Sequence, residues 1–168
     1  MKRAIAIAAV LAAGCSGGEE ASAPKEKAAA PAAAMSAGQW ATSSEVKSFS
    51  QADKGSPKIN TPVGTKASGS ACLAEGEAKK PNPQLFAGEG FDCSYRDSYM
   101  SAGTISANLE CKRAGLSGLV MVNVSGSYTA DSFDADVTTI THLATDGDVQ
   151  IGTKVTGRRG GACAAQWA

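Results

Sequence analysis

The residues of this 168-residue chain that could do chemistry are five cysteines, a single histidine and a small group of aspartates. Cys72, Cys93, Cys111 and Cys163 are widely spaced, and no two form a C-x-x-C pair. That excludes the closely spaced ligand pairs of a structural zinc site and the motif of a redox-active dithiol. His142 has no second histidine with which to build a metal triad. No G-x-S-x-G elbow supports a Ser-His-Asp site around it. Asp131, Asp134 and Asp136 offer oxygen ligands of the type calcium takes, but a D-x-D-x-D-G loop is missing. Asp134 and Asp136 suit the exposed face of a strand. Arg158-Arg159 could meet a phosphate, yet their position suits a solvated strand end. Gly88-Glu89-Gly90 reads as a turn and not a phosphate cradle, because no helix carrying a lysine follows it. Asp97 is the most unusual polar residue, since it falls on an otherwise apolar face. These readings predict no catalytic residue, no metal and no cofactor, so the chain is not expected to be an enzyme.

Any site must then be set by the elements that carry it. Basic and acidic residues balance at 16 each, which argues against a strongly basic nucleic-acid binder. Hydrophobic residues reach 43% but aromatics only 5%, so the core is lean. Alternation of apolar and polar residues, the mark of a half-buried strand, recurs along the chain. Ile105, Ala107, Leu109 and Cys111 alternate with polar neighbours. So do Phe91, Cys93, Tyr95 and Tyr99, and the two runs meet at Ser101-Ala102-Gly103. Val120, Val122, Val124 and Tyr128 form a further strand, and Phe133, Ala135, Val137, Thr139 and Thr141 another. Pairing Tyr128 with Phe133 sets Gly126 against Ala135, where a glycine can mark a bend or a close backbone approach. Thr145-Asp146-Gly147 predicts a three-residue turn that pairs Leu143 with Val149 and Thr141 with Ile151. Residues 39–49 read as a first strand, with Trp40, Thr42 and Val46 on one side. Residues 61–71 read as a weaker one, and residues 72–80 as a short helix ended by Pro81-Asn82-Pro83. The expected fold is mostly β: an antiparallel meander forming a curved sheet or small barrel, with one short helix and two disulfides.

The register selects the sulfur pairs. With the hairpin centred on Ala102, Tyr99 faces Ile105, Tyr95 faces Leu109 and Cys93 faces Cys111. A one-residue slip would scatter these apolar residues over both faces. Cys93–Cys111 is therefore one bridge, which leaves Cys72–Cys163 as the other. Two disulfides belong to an oxidising compartment.

The N-terminus supplies the address. Lys2 and Arg3 precede an apolar run from Ala4 to Ala13, which is too short for a bilayer-spanning helix. Leu11-Ala12-Ala13-Gly14-Cys15 resembles a bacterial lipobox, in which the cysteine is acylated and becomes the new N-terminus. Leu11 stands one place earlier than is usual. Ser16 after the cysteine resembles the sorting of lipoproteins to the outer membrane. Residues 1–14 are thus expected to be a signal peptide, 15–37 a lipid-anchored tether and 38–168 the folded domain. An Ala-, Pro- and charge-rich tether of this length has an end-to-end distance of about 25–30 Å. Loss of the leader removes Lys2 and Arg3 and leaves a slight acidic excess, so membrane attachment is expected through the acyl chains on Cys15 alone.

Several residues together carry a family resemblance. They are Gly38-Gln39-Trp40, Cys72-Leu73 with Glu75 and Glu77, Phe86, Cys93, Cys111, Gly126-Ser127-Tyr128, Ser132-Phe133, and Gly157-Arg158-Arg159-Gly160 leading to Cys163. The set resembles the small proteobacterial envelope proteins grouped as domain of unknown function 3617. The resemblance implies secretion and a compact cysteine-bridged domain, and it implies no activity. Two functions are expected to compete: a structural or protein-interaction module of the envelope, and a carrier of a small apolar ligand in the curled sheet. An interior filled by Trp40, Tyr95, Leu109 and Val124 with no cavity would exclude the carrier. No nucleic-acid partner is expected.

Overall fold

The computed structural model describes residues 34–163; the expected signal peptide, Cys15 and most of the expected tether lie outside them. Seven strands form one sheet: β1 (Gly38–Gln51), β2 (Lys66–Leu73), β3 (Phe91–Ser101), β4 (Thr104–Arg113), β5 (Gly118–Tyr128), β6 (Ser132–Leu143) and β7 (Val149–Gly161). Their spatial order is β2-β1-β7-β6-β5-β4-β3, and every pairing is antiparallel. Strands β3 to β7 are the meander. The N-terminal strand then pairs with the last one, and the sheet curls into a half-barrel.

Alternation sends one face of every strand inward. Ile105, Leu109 and Cys111 of β4, Val120 and Val122 of β5, and Phe133 and Ala135 of β6 are all buried. Trp40 is fully buried, and its indole N–H donates to the Ser36 carbonyl at 3.1 Å. The Phe133 ring lies between Trp40 and Phe86, with centroid distances of 5.9 and 5.4 Å. Gly157 lies beneath that ring, where a Cβ would run into it. Gly126 is indeed a close approach, since a Cβ there would meet the Asp134 carbonyl on β6. Met35, which composition assigns to the tether, is buried in the same core, so packing starts before Gly38.

Four local expectations are corrected. The β3–β4 hairpin turns on two residues, not three. Ala102 and Gly103 both take positive φ, +48° and +78°, which is the geometry of a tight hairpin turn. Cys93 faces Cys111 and Tyr95 faces Leu109 as expected, but Asp97 then faces Asn108, leaving Arg96 as a bulge. The bulge turns Met100 inward and Tyr99 outward, to 60% exposure. Asp97 is exposed, so its anomaly disappears.

The β6–β7 register is shifted by two residues, pairing Thr139 with Ile151. The Asp148 carboxylate accepts from the Leu143 N–H at 2.8 Å, and the Thr141 hydroxyl accepts from the Val149 N–H at 2.8 Å. These side-chain bonds replace ladder bonds and hold the connection open. Because the shift is even, every side chain keeps its face.

The helix expected over residues 72–80 is instead the end of β2 followed by a single 3₁₀ turn, Glu77–Lys79. The α-helical turn, α1, comes after the prolines at Gln84–Ala87. Its start is fixed by the Asn82 side chain, which accepts from the Gln84 N–H at 3.0 Å. Leu85 and Phe86 point inward from α1. The connection that holds them touches both outer strands, β2 and β3, which do not pair with each other. The open side of the half-barrel is thus plugged by α1. The expected weak strand over residues 61–71 also moves toward the C-terminus, to Lys66–Leu73.

Candidate functional site

The inward face is not filled throughout. The main core occupies the Trp40 end, and a second cluster of Val46, Ile59, Val149 and Ile151 occupies the other. Between them lies a groove of about 390 Å³. Its floor is β1, β7 and β6, with Val46, Val137, Ile151 and Val155 interleaved with Thr42, Ser44, Thr139 and Thr153. Leu85 and Phe86 of α1 form one wall, and Ala67 and Gly69 of β2 form another. Ser44 spends its hydroxyl on the Ala67 carbonyl at 3.4 Å. Among the described residues, the hydroxyls of Thr42, Thr139 and Thr153 make no protein hydrogen bond, so they can serve a guest. A half-apolar concavity with a few convergent hydroxyls is the usual chemistry of a small-molecule site.

At one end of the groove stands Arg113, the last residue of β4. Its guanidinium lies 5.1 Å from the centroid of the Phe91 ring, and it forms no ion pair among the described residues. Glu89 also borders the groove, on the turn between α1 and β3.

The residues singled out from the sequence do not converge on a reaction centre. Cys93 and Cys111 are bonded across the β3–β4 hairpin with Cα atoms 4.0 Å apart, and Cys72 is bonded to Cys163 at 5.5 Å. The short first separation fits the closely spaced type of antiparallel pair. Cys15 lies outside the described residues. His142 is exposed on β6. Lys154 pairs with two members of the aspartate group, Asp134 and, at 3.3 Å, Asp136. The hydrogen bond to Asp134 is the main reason that the ammonium holds its proton above the ordinary lysine range. Asp131 pairs with Arg159 at 3.6 Å. Among the described residues no group of three or more His, Cys, Asp or Glu side chains is placed to hold a metal ion. No helix among them is long and apolar enough to cross a membrane.

A family model described as "protein of unknown function (DUF3617)" matches residues 35–163. The chain belongs to the DUF3617 family. No curated protein and no solved structure matches it.

In this DUF3617 domain several of the residues that carry the resemblance meet at one corner of the sheet, while Cys93 and Cys111 are bonded across the β3–β4 hairpin. Gly38 lies so close to the Gly161 carbonyl that no Cβ fits, and Trp40 pairs with Arg159 across β1 and β7. The Arg159 Nε donates to the Ala37 carbonyl at 2.7 Å, which clamps the chain as it enters the sheet. Cys163 then bonds Cys72 at the end of β2. These residues assemble the fold; of the set that carries the resemblance, Phe86 also walls the groove.

The residues that line the groove are what sequence reading missed. A signal was present: Thr42 and Ser44, Thr139 and Thr153 hold inward positions in strands whose other inward residues are apolar. Hydroxyls clustered at one level of a core face indicate polar contact or solvent there, once the register is known.

Proposed function

We propose that this DUF3617 protein is a non-enzymatic binding module of the bacterial envelope, anchored to the outer membrane by acyl chains on Cys15 and facing the periplasm. In this reading it carries a small, mainly apolar molecule in the groove. The observation that carries the proposal is the groove itself. Its volume of about 390 Å³ lies in the range of small-molecule sites. Its walls offer apolar area for affinity and free hydroxyls for orientation. The plain structural or protein-interaction reading would leave this space, and its three unpaired hydroxyls, without use.

The test is titration with the neutral fluorophore N-phenyl-1-naphthylamine. We expect saturable enhancement on the full chain carrying Cys15→Ser, which has no acyl chain of its own. Thr153→Trp fills the groove and should weaken binding at least about tenfold, a loss of about 1.4 kcal/mol. Thr156→Trp, on the same strand but the opposite face, should not. Absence of saturable binding would return the protein to the interaction reading. The anchor is tested separately: labelled palmitate should enter the native chain and fail to enter Cys15→Ser.

A further inference from the structure

The groove does not end at Arg113. A second depression of about 350 Å³ opens on the other side of that residue, and the two share Ile59, Thr61 and Arg113. The second depression is polar. Lys58, Asn60 and Thr61 line it from the β1–β2 connection, Arg113 from β4, and residues 114–116 complete it. It holds two cations and no carboxylate. Asp146 reaches Lys58 from outside it, at 3.1 Å, and spends part of that charge. Glu89 borders the apolar groove but not the polar depression. Arg113 therefore stands at the junction of an apolar space and a cationic one, with no ion pair among the described residues.

We propose that the guest is an amphiphile with a single anionic head, its alkyl or ring body lying in the groove between β7 and α1 and its head held by Arg113 and Lys58 in the adjoining depression. This rests on the groove being a binding site. The chemistry follows from the two linings. A planar guanidinium donates paired hydrogen bonds to a carboxylate or a phosphate, and Lys58 adds a point charge. The Asn60 amide and the Thr61 hydroxyl can meet the remaining head oxygens. A neutral guest would leave these donors unused, and a cationic one would be repelled by both charges.

The experiment displaces N-phenyl-1-naphthylamine from the full Cys15→Ser chain with four ten-carbon probes: decanoate, decyl phosphate, decanol and decylammonium. A charge-assisted head contact should make decanoate or decyl phosphate bind at least about tenfold more tightly than decanol. That margin should shrink as salt rises. Decylammonium should be the weakest. Arg113→Gln should bring the anionic probes to within about threefold of decanol. Lys58→Gln should have a smaller effect in the same direction. The stronger of the two anions identifies the source, free fatty acid or phosphate-headed lipid. If decanol and the anions displace equally, or Arg113→Gln weakens all probes alike, the anionic head is wrong while the groove stands. If no probe displaces the fluorophore and Thr153→Trp leaves its binding intact, the groove reading falls as well.

Discussion

The Tyr95 hydroxyl donates to the Pro81 carbonyl at 2.6 Å, tying β3 to the start of the connection that plugs the half-barrel. Burial, and after it the negative charge of Glu77, pushes the ionisation of this phenol well above its ordinary value near pH 10. A raised folded pKa means that the folded state favours the neutral phenol. Its contribution is therefore complete below about pH 10 and is lost as pH rises toward the folded value. Urea unfolding at pH 7 and pH 11 should show native stability falling over that interval. Tyr95→Phe should flatten that part of the profile. The same substitution should cost about 1 kcal/mol at pH 7, because the Pro81 carbonyl loses its donor. A variant with the native alkaline slope would show that another group sets it.

At the scale of elements, the two disulfides act on different closures. Cys93–Cys111 closes one hairpin, and Cys72–Cys163 closes nearly the whole domain, with a sequence separation of 91. Loop-closure entropy gives about 3 kcal/mol for the first and about 4.5 kcal/mol for the second. Replacing Cys93 and Cys111 together by alanine should thus lower the unfolding free energy less than replacing Cys72 and Cys163, as read from urea midpoints. The reverse ranking would mean that packing of the buried Cys111 outweighs chain entropy. The first pairing was legible in the sequence because alternation fixes which face a residue takes. Alternation does not fix how far along a partner it sits. The even shift between β6 and β7 left no trace in the pattern, since the Thr141 and Asp148 side chains that cause it look like ordinary turn residues. The bulge at Arg96 was equally silent, although Asp97 on the wrong face was its symptom. A helix as short as α1 has too few positions to show a period, and only Asn82 and the flanking prolines announce it.

At the scale of the whole molecule, the sheet is closed on one side by strands and on the other by sulfur and α1. Strand β2 pairs only with β1, and its far end is held by Cys72–Cys163 and by the buried side chains of α1. The strands from β4 to β6 are each paired on both sides. Local opening should therefore begin at β2, where the fewest contacts must break. Reduction of the protein by dithiothreitol should speed amide hydrogen exchange in β2, at the end of β7 and beside the β3–β4 bridge, with little change in β5 and β6. Because Ala67 and Gly69 wall the groove, the same treatment should also weaken fluorophore binding. The geometry gives this weak seam a direction. Strand β1 starts at the Trp40 end, where Arg159 clamps the incoming chain, and runs to Gln51 beside Val149. Arg113 lies at that far end, since β4 ends two residues beyond the ladder joining Cys111, Val120 and Thr141. The described chain thus enters the sheet at the end opposite the cationic mouth, which leaves the mouth clear of the entering segment. Uniform acceleration of exchange in all seven strands on reduction would overturn this picture, because it would show a single cooperative unit with no separable side on which a guest could be admitted.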